Sequence, residues 1–153
     1  MFDLLVVATD GSESGERAVA TALDLAARFD ATVHAVSVVD PGRIDEVPGE
    51  EAETAREALE ERAAAATEAV AEQAASGTEV STVVREGRPA DTIVDYAEEV
   101  DADTVALGTR GRGGEGGFLL GSVAEAVVRT CECPVLTVRG TPTPADGDPA
   151  VGA

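Results

Sequence analysis

Six glycines fall within the ten residues from Gly108 to Gly117, and Gly121-Ser122 follow shortly after. The apolar run Thr104-Val105-Ala106-Leu107 precedes this stretch, and the helical pattern Val123-Ala124-Glu125-Ala126-Val127-Val128 comes after it. Glycines placed between a strand and a helix turn backbone N–H groups towards an anion, and the helix N-terminus adds a positive dipole end. The chemistry such a loop supports is a cradle for the phosphates of a nucleotide. Ser122, expected at the N-cap of the following helix, adds a hydroxyl. Arg110 and Arg112 carry guanidinium forks that can grip a phosphate, or else sit solvated on the loop. The glycines from Gly113 to Gly117 also read as a flexible connection.

Two familiar phosphate motifs do not account for the stretch. The sequence contains no lysine, which excludes G-x-x-x-x-G-K-[ST]. Gly111 to Gly116 formally matches G-x-G-x-x-G, but the helix begins later and no ribose-binding acid follows at the expected distance. Asp10, in Thr9-Asp10-Gly11-Ser12, has two compatible readings. It closes an Asx turn, or it sets a carboxylate beside a ribose hydroxyl or a phosphate-bound metal ion. His34 is the only histidine and lies in an apolar run, so a packing role is expected. With no Gly-x-Ser-x-Gly elbow either, a serine-hydrolase triad has no support, and no catalytic residue is assigned. Cys131-Glu132-Cys133 lacks the C-x-x-C redox spacing and offers too few ligands for zinc, so structural burial is expected.

The elements that must position these residues alternate along the chain. Leu4 to Ala8 is apolar throughout, as a strand covered on both faces should be. A helix follows from Glu13 to Phe29, with Ala18, Ala22, Leu25, Ala26 and Phe29 on its apolar face. Thr32 to Val39 reads as the second strand, and residues 41–49 as a flexible loop. A long helix runs from Glu50 to Ala75 and ends at Gly77. Thr78 to Arg85 alternates like a strand near an edge. Pro89 opens a helix whose buried stripe is Ile93, Tyr96, Ala97 and Val100. Thr104 to Leu107, a helix from Ser122 to Arg129, and Pro134 to Val138 complete the series. This βα alternation predicts one doubly wound α/β domain, a Rossmann-like five-stranded parallel sheet in the order 3-2-1-4-5, over residues 1–139. Ligands of such sheets bind past the carboxyl ends of the strands at the switch point. The ends that meet there are those of strands one and four, Asp10-Gly11 and Gly108. Residues 140–153 are rich in Pro, Gly and Asp and are expected to be a disordered tail.

Composition narrows the function further. The 153 residues carry a formal charge of -19, with Asp+Glu 30 against Lys+Arg 11. That balance opposes sequence-independent nucleic-acid binding. Aromatics are 3%, too few for base-stacking recognition of single strands. An acidic, lysine-free surface suits a salty cytoplasm, where the Debye length shrinks to roughly 3 Å at 1 M salt. No signal peptide or membrane span is recognisable, so a soluble cytoplasmic protein is expected.

With these residues in place, the chain resembles the universal stress protein family. The signature is Gly108-x-x-Gly111, nine residues, then Gly121-Ser122. Asp10-Gly11-Ser12, Val38-Val39-Asp40, Ser122-Val123-Ala124-Glu125 and Cys133-Pro134-Val135 extend the likeness to about residues 2–139. The resemblance implies an ATP-binding stress-response or regulatory protein, with AMP or ADP as alternative nucleotides and Mg²⁺ as companion. By the family pattern, Ala8, Asp10 and Val38 line the adenosine. Leu107, Gly108, Gly111, Gly121, Ser122 and Val123 cradle the ribose and phosphates, and Asp10 is the candidate metal contact. A homodimer is implied through Pro134, Val135, Leu136, Thr137 and Val138. Two other readings stay open: a dimerising interaction module that binds no nucleotide, and a weak ATPase or nucleotidyl-transfer enzyme.

Overall fold

In the computed structural model, residues 2–109 and 120–140 are described. The elements are β1 (Leu4–Ala8), α1 (Glu13–Phe29), β2 (Thr32–Val39), α2 (Pro41–Asp45), α3 (Glu51–Gln73), β3 (Val80–Glu86), α4 (Pro89–Glu99), β4 (Thr104–Gly108), α5 (Ser122–Thr130) and β5 (Val135–Val138). The strands form one five-stranded sheet in the order β3-β2-β1-β4-β5, as expected. Every pairing is parallel; Leu5 stands opposite Val33 on one side and Thr104 on the other.

The pleat sends successive side chains to opposite faces. Leu5, Val7, Val33, Ala35 and Ala106 therefore face α1 and α3, where they meet Val19, Ala22, Ala26 and Val70. Val6, Ala8, Val36, Val105 and Leu107 face α4 and α5, where they meet Ile93, Tyr96, Ala97, Ala124 and Val127. Covering both faces explains why β1 is apolar without alternation. The core is built of Val, Ala and Leu because aromatics are scarce.

Four local expectations are corrected. Residues 41–45 are not a loop but the short helix α2, capped by Asp40, whose Oδ1 accepts the Gly42 N–H at 2.9 Å, with Pro41 in the first turn. Asp-Pro ends a strand, but it is equally an N-cap followed by a residue suited to N1. The helix α3 stops at Gln73 with Ala74 extended (ψ 141°), so Gly77 (φ 96°) shapes the turn beyond it and not the cap itself. Phe29 is half exposed and rests edge-on against the Phe2 ring, with centroids 5.2 Å apart. The buried stripe of α1 holds Val19 and Leu23 in its place. Pro134 lies just before β5, which begins at Val135.

The entry to β1 is held from across the sheet. Asp103 Oδ2 accepts the N–H groups of Asp3 (2.8 Å) and Leu4 (2.9 Å). These two bonds hold the Asp103 carboxyl below its ordinary range. A lowered folded pKa means that the contribution is complete above the unfolded value, about pH 4, and is lost as pH falls through the lower folded value. Asp103→Asn should therefore destabilise the protein at neutral pH. Its deficit relative to wild type should shrink as urea titrations at constant salt are moved below about pH 4. A deficit that does not change with pH would rule out this linkage.

Candidate functional site

The C-terminal ends of β1 and β4 converge where the strand order reverses, and each is fixed by local chemistry. After β1, the Thr9 N–H donates to the Val36 carbonyl at 2.9 Å, keeping the chain against β2. Gly11 then takes φ 81°, which an L side chain rarely adopts. Asp10 Oδ1 accepts the Ser12 N–H at 2.9 Å, the Asx turn anticipated from sequence. Ser12 Oγ accepts the Gly15 N–H at 3.2 Å and caps α1. Gly15 lies beneath this turn: a Cβ there would come within 3.3 Å of Asp10 Oδ1.

After β4, the Thr109 N–H donates to the Val138 carbonyl (2.9 Å), and the Thr109 carbonyl accepts the Gly121 N–H (2.5 Å). The start of α5 is thus tied back to the end of β4. Gly121, not Ser122, is the N-cap of α5; Ser122 is the first helical residue and is exposed. This corrects the expected capping role of the Ser122 hydroxyl. The N-cap glycine has no side chain to cap α5, and among the described residues no side chain accepts from its first-turn N–H groups.

Between these ends lies a cavity of about 620 Å³. Its lining brings together Ala8, Asp10, Val38, Leu107, Gly108, Gly121, Ser122 and Val123. Gly111, Arg110 and Arg112 lie outside the described residues. The strand Val135–Val138, with Pro134 before it, is apart from the cavity, at the sheet edge. The outer wall was not anticipated from sequence. It consists of Asp40 and Arg43 around α2, Leu59, Arg62 and Ala63 on α3, and Pro89 and Ile93 on α4. The cavity thus holds two carboxylates and two guanidinium groups within a chain of net charge -19. Asp40 is engaged in capping α2, and Asp10 in its turn. Among the described residues, the Arg43 and Arg62 side chains make no ion pair or hydrogen bond. Two unengaged cations facing a cavity favour an anionic occupant.

Other singled-out residues lie elsewhere. His34 Nδ1 is 2.6 Å from the Tyr96 hydroxyl, while the Arg85 guanidinium stands 5.0 Å over the Tyr96 ring and pairs with Glu99. Burial raises the Tyr96 pKa, with the Arg85 charge opposing it. His34 is accordingly a packing and hydrogen-bonding residue, as expected. Cys131 and Cys133 are half-buried and pack against the core that α4 and α5 cover, so the expected structural burial is met in part. Among the described residues no three His, Cys, Asp or Glu side chains converge as a metal site. No described helix is long and apolar enough to cross a membrane.

Comparison with known proteins gives this geometry its family. The model of the universal stress protein family matches residues 1–139. The chain belongs to the universal stress protein family. Universal stress protein MJ0531 of Methanocaldococcus jannaschii is 38% identical over 141 residues, covering 91% of this chain and 83% of that one. Among solved structures, the hypothetical protein MJ0577 aligns with a TM-score of 0.82 at 26% identity, covering 94% of this chain and 99% of that one. A universal stress protein in complex with cAMP aligns at 0.66 and 29% identity, covering 92% and 98%. Universal stress proteins of this fold thus include one with a nucleotide bound.

Proposed function

We propose that the protein binds an adenine nucleotide in this cavity and acts as a regulatory, stress-response homodimer. The observation that carries the reading is the N-terminus of α5, with no side-chain cap among the described residues, at a cavity of about 620 Å³ at the sheet's switch point. Free N–H groups at a helix start are matched to phosphate oxygens. Ala8, Val38 and Leu107 supply apolar surface for a base and sugar, and Asp10 supplies a carboxylate for a ribose hydroxyl or for Mg²⁺ carried by the phosphates. Arg43 and Arg62 add positive charge to the described lining. ATP fits these features, and AMP or ADP would use the same walls. The relative in complex with cAMP supports the class of ligand.

A micromolar affinity corresponds to about -8 kcal/mol, within reach of apolar burial and several charge-assisted bonds. Apart from Asp10, no described residue of the cavity is placed as an activated nucleophile or base, so the reading is binding without efficient hydrolysis. The test is to purify the protein in high salt, denature it, and chromatograph the supernatant, with Mg-ATP calorimetry on the folded protein alongside. Released adenine nucleotide or a saturable heat supports the proposal. Neither signal would leave the interaction module as the better account.

The dimer has its own test. Pro134 and Val138 turn their carbonyls to β4, accepting from Val105 (3.1 Å) and Thr109 (2.9 Å). By the period of two, Val135 and Thr137 turn their peptide groups to the open edge. Thr137→Pro removes an outward donor while sparing the β4 ladder. Sedimentation should show the dimer reduced to monomer. A dimer mass that persists would exclude pairing through β5.

A further inference from the structure

The described part of the chain holds one reactive cluster that the nucleotide cavity does not use. Cys131 and Cys133 flank a single residue between the end of α5 and the root of β5. Their Sγ atoms lie 3.4 Å apart, and both residues are half-buried against the core that α4 and α5 cover. With no third ligand converging among the described residues, the pair does not make a zinc site. We propose that Cys131 and Cys133 form a reversible dithiol–disulfide couple that reacts with small-molecule disulfides.

The two thiols are not equivalent. Burial first, then the hydrogen bond and charge of Cys131, push the Cys133 thiol up to about 12. A raised pKa makes Cys133 the poorer attacking sulfur, which leaves the first attack to Cys131. The Cys131 thiolate attacks one sulfur of R–S–S–R; its S–S bond breaks, Cys131–S–S–R forms, and RS⁻ leaves. The hydrogen bond and charge of Cys131, which added to burial in holding the Cys133 proton, are then gone. Cys133 passes its proton to the departing thiolate and attacks Cys131 Sγ, releasing the second RS⁻, which takes a proton from water. In sum, two protein thiols and one external disulfide become one protein disulfide and two external thiols.

The location gives the reaction a structural reach. Cys131 is the C-cap of α5, its N–H bonded to the Val127 carbonyl at 2.9 Å. Cys133 precedes Pro134, whose carbonyl accepts from the Val105 N–H (3.1 Å) and from Thr104 Oγ1 (2.7 Å). A bridge would tie the end of α5 to the anchor of β5.

The test treats the reduced full chain with glutathione disulfide, then measures free thiols after denaturation and intact mass. Loss of both thiols, a mass lower by two hydrogens, no retained glutathione, and reversal by dithiothreitol are expected. Cys133→Ser should keep one glutathione on Cys131, and Cys131→Ser should react about tenfold more slowly than Cys133→Ser. Two thiols persisting in the wild type, a stable glutathione adduct on it, or a disulfide between chains would each overturn the proposal.

Discussion

Gly108→Ala is expected to lower the unfolding free energy by about 3 kcal/mol, the upper end of the range for overpacked sites. A Cβ on residue 108 would stand 2.6 Å from the Ser14 carbonyl carbon and 2.8 Å from the Gly15 nitrogen, and would also strike Ser14 Oγ. The first two are main-chain atoms of α1, so no rotamer change relieves them. Neither partner can move cheaply: α1 is capped at Ser12, and β4 is paired on one side with β1 and on the other with β5. For a domain of ordinary stability, about 5–15 kcal/mol, this is a large fraction of the total. Urea unfolding at constant salt should show a lower midpoint with an unchanged slope. A midpoint within experimental error of wild type would mean that α1 yields easily and that Gly108 is not required sterically. The expectation also separates two roles of this glycine. It lines the cavity, but its lack of a side chain is demanded by the helix behind it, with or without ligand.

Ser122→Glu should weaken nucleotide binding about 100-fold, since a carboxylate set against phosphate costs several kcal/mol. It should leave folding intact. Ser122 is exposed at the first position of α5, and a negative charge there favours the helix by about 0.3–1 kcal/mol. Affinity and stability are thus predicted to move in opposite directions. Calorimetry with Mg-ATP and thermal melting of the same samples read both. Unchanged affinity would place the phosphates away from α5, and a collapse in melting temperature would show that the residue is structural.

Much of the fold was legible because its signals are local and repeated. The uninterrupted apolar run of β1, the stripe of Ile93, Tyr96 and Ala97, and Pro89 at a helix start each report their own surroundings. The inner wall of the cavity was legible for a related reason: Asp10-Gly11 and Gly108 mark strand ends, and parallel topology brings those ends together. The outer wall was not. Arg43 and Arg62 reach the cavity only because α2 turns the chain over the end of β2 and α3 passes across it. That path depends on tertiary packing of Ile44 against Val39 and Ala63. Asp40-Pro41 carried both a strand stop and a helix start, and the helix reading was the one missed. Likewise, Ser122 looked like an N-cap because serine favours that position. The Gly121–Thr109 hydrogen bond, which moves the cap one residue earlier, has no signature in composition.

The main-chain contact between the end of β4 and the start of α1 also bears on how a bound molecule comes and goes. Gly108 against Ser14 joins the two inner walls directly, and the ties from Thr9 to Val36 and from Thr109 to Val138 hold the neighbouring strands to them. These walls cannot part like jaws without breaking the sheet. On the opposite side stands α2, five residues long and fixed to the core through the single buried side chain of Ile44. For the nucleotide proposed above, the described wall that yields at least cost is therefore α2. The residence time of a ligand would then be set by how firmly Ile44 is seated, which makes off-rates separable from the contacts that determine affinity.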